Sequence, residues 1–204
     1  GDVTDVQLEV IADLADSFSF GEIRTTHNQN IVLADVAKTD LFSLWQLAKA
    51  AGLATPNIGT INDMICCPGG DYCSLANAKS IPVAEAIQRK FDDLDYVYDL
   101  GDITLNISGC MNACGHHHVG HIGILGVDKK GEEWYQIQLG GNAGKDAALG
   151  NVLGPSLSRS AVVDSIEALL DVYVENRLLQ ESFLSTYQRI GQAKFKERVY
   201  APIT

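Results

Sequence analysis

Basic residues are scarce in this chain: 15 Lys and Arg stand against 26 Asp and Glu, for a formal charge of −11. That deficit excludes a nucleic-acid binder, because phosphate backbones are held by clustered Lys and Arg. No run approaches 18 apolar residues, so no membrane-spanning helix is expected. No charged-then-apolar leader opens the sequence, and a cytoplasmic location is expected from that and from the reduced thiols implied below. Apolar residues make up 46% of 204 positions, enough for an ordinary core in one or two domains and too many for a disordered chain. Cysteine is sparse too, at five residues, yet its placement is the most informative feature present.

Four of those cysteines form two pairs: Cys67 and Cys73 in CCPGGDYC, and Cys110 and Cys114 in NISGCMNACG. A cubane iron–sulfur cluster needs one thiolate per iron, converging from different directions, and two short hops separated by a long excursion supply that. Pro68, Gly69 and Gly70 bend the first loop without side-chain clashes. If the second segment is a helical turn, Cys110 and Cys114 at i and i+4 share one face. Backbone amides of Gly69, Gly70, Gly109 and Gly115 are candidate donors to the sulfurs; simple turn geometry explains the same glycines. Other readings compete. Disulfides call for an oxidising compartment and leave Cys66 over. Zinc is raised by His116, His117, His118 and His121, although Cys114 and His116 stand too close together for a finger. Free core thiols account for Cys66 but poorly for four cysteines in Gly-, Pro- and Asn-rich loops.

The run CCPGGDYCSLA followed by NISGCMNACGHHHVGHIGILG resembles the cluster- and siroheme-binding signature of siroheme nitrite/sulfite reductase haemoproteins, and the similarity extends to the closing ESFLSTYQRIGQAKFKERVYAP. The resemblance implies a [4Fe–4S] cluster on Cys67, Cys73, Cys110 and Cys114, with Cys114 the catalytic thiolate shared with the siroheme iron. It implies siroheme contacts for Asn112, Ala76 and His118. The implied reaction is reduction of sulfite to sulfide or of nitrite to ammonia, fed by a ferredoxin or flavoprotein donor. The implied partner is the N-terminal half of the same haemoprotein, which would supply the basic residues that grip the anion. The shortage of Lys and Arg then fits a fragment without that anion pocket, inactive alone, and the lack of an internal repeat fits one copy of a duplicated unit. A stand-alone iron–sulfur electron-transfer module and a small single-unit siroheme reductase remain as rivals. His116 to His118 read either as proton donors beside the siroheme or as a polar shell; His27 is expected to be structural.

The fold class expected is α+β: a ferredoxin-like half-domain over residues 1–55, α-β-β-α without its first strand, then a mixed α/β 4Fe-4S and siroheme-binding domain over residues 56–204. Val6, Val10, Ile11 and Leu14 predict a helix over about Thr4 to Asp16. Residues Gly21 to His27 and Asn30 to Val36 read as strands turning at Asn28-Gln29. Thr39 and Asp40 offer a cap to a helix ended by Gly52, and Leu53 to Thr60 reads as a linker. In the second domain a short helix is expected after Cys73 and another from Pro82 to about Phe91. Strands are expected at Tyr96 to Tyr98, Thr104 to Ile107, Ile122 to Val127 and Trp134 to Leu139. Glycines 140 to 154 make a loop that lacks P-loop spacing. An amphipathic helix capped by Ser158 or Ser160 follows, then a second helical stretch from Ser182 towards Ile190.

Overall fold

In the computed structural model, which describes residues 3–201, the chain divides into two compact units, Gly1–Pro56 and Asn57–Thr204. The first unit begins with a reciprocal cap. The Gln7 N–H donates to the Thr4 hydroxyl at 3.2 Å and the Thr4 N–H donates to the Gln7 side chain at 3.0 Å, so helix α1 starts at once and runs Asp5–Phe18. Strands β1 (Ile23–Thr25) and β2 (Ile31–Leu33) pair antiparallel with Arg24 opposite Val32. They are shorter than the sequence pattern because Gly21, Gln29 and Asp35 all take positive φ, which ends extended geometry on either side. Helix α2, Leu41–Ala50, closes this α-β-β-α unit; Asp40 precedes it without a side-chain cap bond, and Gly52 at φ 71° stops it.

The second unit is built on a five-stranded mixed sheet in the order β3 (Ile65–Cys66), β4 (Leu105–Ser108), β5 (Ile122–Lys129), β6 (Glu132–Leu139), β7 (Asn151–Val152). β3, β4 and β5 are parallel, whereas β5 and β6 form a hairpin turned by Lys130 and Gly131, both at positive φ. Side chains alternate between faces along each strand. Leu105, Ile107, Ile122, Ile124, Tyr135, Ile137 and Leu139 share one face, in register and fully buried. Onto that face packs the helix Arg159–Asn176, whose Val162, Ile166, Leu169, Leu170 and Tyr173 complete the main core. Ser158 caps that helix by accepting from the Ala161 N–H, and Ser182 caps the next, Phe183–Ile190, by accepting from the Ser185 N–H.

Two expectations fail here. Residues Tyr96 to Tyr98 are not a strand but lie in a helix, Leu94–Leu100, because the Asp93 carboxylate accepts from the Asp95 and Tyr96 N–H groups and so caps a helical turn. Val97 and Leu100, at helical spacing, are then the buried pair. The short helix lies before Cys73 rather than after it, at Gly69–Tyr72, and residues 74–75 form a turn. The helix begun by Ser80 and Pro82 is Ile81–Lys90, and a last helix, Gln192–Tyr200, carries a buried Phe195 into the core. Among the described residues no helix is long and apolar enough to cross a membrane.

Candidate functional site

Both cysteine loops leave the sheet at the carboxyl ends of parallel strands, where ligand sites gather in such sheets. Cys67 follows β3 directly, and its N–H still donates to Ile107 of β4 at 3.1 Å. Gly109 follows β4, and its N–H donates to the Cys67 sulfur at 3.1 Å. The carbonyl of Gly109 accepts from the Asn77 and Ala78 N–H groups at 2.8 and 3.0 Å, while Ala78 accepts from Gly70 at 3.0 Å. One residue, the neighbour of Cys110, therefore binds both ends of the Cys67 to Ala78 loop. Of the four glycine amides expected to reach sulfur, Gly109 does so. The amides of Gly70 and Gly115 are taken up elsewhere, by the Ala78 carbonyl and the Ser108 hydroxyl.

Close approach explains the glycines. A Cβ on Gly109 would stand 2.6 Å from the Ala78 carbonyl and 2.9 Å from the Gly69 Cα, so the two loops meet backbone against backbone. Residues 109–121 return from the end of β4 to the start of β5, a crossover that in most parallel pairs is a helix. Here it is the cysteine–histidine segment itself, lying on the face opposite the helical core, where Asn106 and Ser108 hold it through the His116 carbonyl and the Gly115 N–H. Cys110 to Cys114 is not a helical turn as the spacing allowed: Ala113 and His116 take φ of 57° and 52°, and two tight turns follow one another. The cause is the exit from β4, whose hydrogen bonds to Gly115 and His116 pull the chain back over the sheet.

Cys67 and Cys110 are buried, Cys73 is half-buried and Cys114 is exposed. Ala76 and His118 are half-buried and Asn112 is exposed. Cys66 differs from its neighbours: it packs against the core, and burial, with a smaller push from Cys67, raises its thiol to about 12. Among the described residues no three His, Cys, Asp or Glu side chains are grouped closely enough to share one metal ion. Lys79 sits in the loop that carries Cys73, and it is tied to Asp71 at 2.9 Å.

One anchor was not legible in the sequence. The Tyr135 hydroxyl, from β6, donates to the Lys79 carbonyl at 2.9 Å and fastens the cysteine loop to the sheet. Tyr135→Phe is expected to lower stability by about 1–2 kcal/mol, read as a fall in the urea midpoint. His117, singled out in the sequence with its neighbours, is instead a buried ring whose Nδ1 has no hydrogen-bond partner among the described residues. The residue is 5% exposed and its ring lies edge-on to His118, and burial, then His118, lowers its pKa from 6.5 to about 4. The unfolded chain therefore takes up a proton that the folded chain refuses between those values. The stability from a neutral His117 is complete above pH ~6.5 and is lost as pH falls towards 4, up to about 3 kcal/mol. Denaturation of the cofactor-free chain across that window should show this loss, and His117→Gln should remove it. His121 is also held below its usual range by burial, its Nδ1 accepting from the Thr104 N–H at 3.2 Å.

Residues 59–203 match the family model described as the nitrite and sulphite reductase 4Fe-4S domain. The chain belongs to that family. Residues 1–51 match the nitrite/sulfite reductase ferredoxin-like half domain, in keeping with the α-β-β-α unit. The chain is 29% identical over 202 residues to a ferredoxin-named sulfite reductase of Mycolicibacterium paratuberculosis, covering 94% of this chain and 36% of that protein. It is 25% identical over 193 residues to a nitrite reductase [NAD(P)H] of Bacillus subtilis, covering 94% of this chain and 23% of that one. The solved structure of the Mycobacterium tuberculosis NirA protein superposes with a TM-score of 0.79 at 26% identity, over 95% of this chain and 37% of that chain. This nitrite and sulphite reductase domain chain thus spans about a third or less of the length of these relatives, whose names divide between two substrates and two kinds of electron donor.

Proposed function

We propose that Cys67, Cys73, Cys110 and Cys114 hold a [4Fe–4S] cluster, with Cys114 shared with a siroheme iron, in a protein that reduces sulfite or nitrite. The observation that carries this reading is the hydrogen bond from Gly109, next to Cys110, to the Cys67 sulfur at 3.1 Å, which joins the two cysteine loops. Soft thiolates suit iron–sulfur chemistry, and a cubane takes one thiolate per iron, so its ligands need not crowd around a single ion. Bound there, the cluster and siroheme would supply the electron storage and transfer that the polypeptide lacks.

The residues of this chain have separate tasks in that scheme. Gly109 orients the Cys67 sulfur, and the bonds from Asn106 and Ser108 fix the crossover that carries Cys110 and Cys114. Exposure of Cys114 suits a thiolate with a second partner, and Asn112, Ala76 and His118 are assigned to the siroheme side. Tyr72, Leu75 and Met111, each within two residues of a site cysteine, are 73%, 70% and 83% exposed and offer apolar surface to a macrocycle. Cys67 and Cys110 sit away from water and would shield their side of a bound cluster, while Cys114 lies open.

The anion needs positive charge close to the cysteine loops. Lys79 is already paired with Asp71, and the net charge is −11, so the basic groups that grip sulfite or nitrite are assigned to a further portion of the protein, as are donor docking and substrate choice. Anaerobic purification followed by absorption spectroscopy tests the assignment. Siroheme bands together with a cluster shoulder support a reductase; the shoulder alone makes the chain an electron-transfer module; neither feature, after reconstitution with iron, sulfide and siroheme, refutes the reading.

A further inference from the structure

Ser80 stands where a helix-capping residue is expected, directly before Ile81–Lys90, yet it does not cap. Its backbone is helical, at φ −103° and ψ −44°, and its hydroxyl makes no bond to the first helical N–H groups. Ser158 and Ser182 in the same chain are extended, at ψ 166° and 161°, and do cap. Forgoing such a bond leaves the first helical N–H groups without a side-chain acceptor. The Ser80 side chain is instead turned inward. The residue is fully buried, and its hydroxyl lies 3.5 Å from the Cys67 sulfur, the one hydrogen-bond partner it has among the described residues. Room for it comes from two glycines: a Cβ on Gly69 or Gly109 would stand 2.7 or 3.0 Å from the hydroxyl oxygen.

The Cys67 sulfur is consequently faced by the Gly109 N–H, which donates to it, and by the Ser80 hydroxyl, a contact in which either atom can donate. Among the described residues the sulfurs of Cys73, Cys110 and Cys114 accept no hydrogen bond. We propose that Ser80 is a positioning residue of the cluster site, donating to the Cys67 thiolate and so raising the reduction potential of a cluster bound there. The proposal rests on the cluster reading above. A thiol at Cys67 can itself donate, but iron binding removes its proton, and the hydroxyl then becomes the donor. Donors to cluster sulfurs stabilise the reduced state more than the oxidised one, because the reduced state holds more negative charge, and so raise the reduction potential.

The test uses the full chain, reconstituted anaerobically with ferrous iron and sulfide, with its reduction potential titrated by electron paramagnetic resonance. Ser80→Ala is expected to keep its iron and sulfide content and to titrate at a more negative potential; Ser80→Thr, which retains the hydroxyl, should return towards the unaltered chain. Loss of the cluster from Ser80→Ala but not from Ser80→Thr would also support the role. An unmoved potential in Ser80→Ala, an equal shift in both variants, or loss of the cluster from both would overturn it. An unaltered chain that takes up no cluster overturns the cluster reading and this proposal together, whereas a loaded chain indifferent to Ser80→Ala overturns this proposal alone.

Discussion

Gly115→Ala is expected to cost at least about 3 kcal/mol and to lower the thermal midpoint by roughly 6–12 °C. The new Cβ would stand 1.9 Å from the Ile107 carbonyl and 2.8 Å from its carbon. Both are backbone atoms of β4, so no side-chain rotation relieves the contact, and the crossover must lift from the sheet. Lifting it breaks the Ser108 and Asn106 bonds that hold residues 115 and 116 and moves Cys114 with them. Gly70→Ala is the matched control. Its Cβ would meet the flexible Lys79 side chain at 3.4 Å, and a change within about 0.5 kcal/mol is expected. Calorimetry of the two variants checks the comparison; equal stability would mean that the crossover does not lie against β4.

The second large effect separates adjacent cysteines. Cys67→Ser and Cys110→Ser are each expected to lose most of the bound iron and acid-labile sulfide, whereas Cys66→Ser should retain both. The contrast is physical. Cys67 has its sulfur aimed at the Gly109 N–H, between the two cysteine loops. Cys66 packs on the core, with its sulfur directed to the Cys67 carbonyl and its thiol pushed up to about 12, which disfavours a thiolate. Iron and sulfide assays on the three reconstituted variants decide it. Retention of iron by Cys67→Ser with loss from Cys66→Ser would exchange their roles.

Most of the elements legible in the sequence rest on local interactions, although not every local signal was decisive. Thr4, Ser158 and Ser182 announce their helices because a cap bond spans three residues, and the β5–β6 hairpin is announced by Lys130-Gly131. The leucine, valine and tyrosines of residues 94–98 mislead, since strand-like composition outweighs the single Asp93 that caps a helix there. Strand β3 is two residues long and exists through its partner some forty positions away, so no pattern within it could show it. The site divides along the same line. Cysteine spacing singles out both loops, but the role of Gly109 depends on a sulfur 42 residues distant, and that of Ser80 on a helix start that fails to behave as one. Tyr135 and Lys79, 56 residues apart, are joined for the same reason only in three dimensions.

Diffraction from the anaerobically reconstituted chain, with anomalous signal collected at the iron edge, is the most direct measurement. The account predicts one compact iron peak beyond the carboxyl ends of β3 and β4, touched by the sulfurs of Cys67, Cys73, Cys110 and Cys114 and not by that of Cys66. Iron located away from these loops, or held by one loop while the other keeps free thiols, would contradict it.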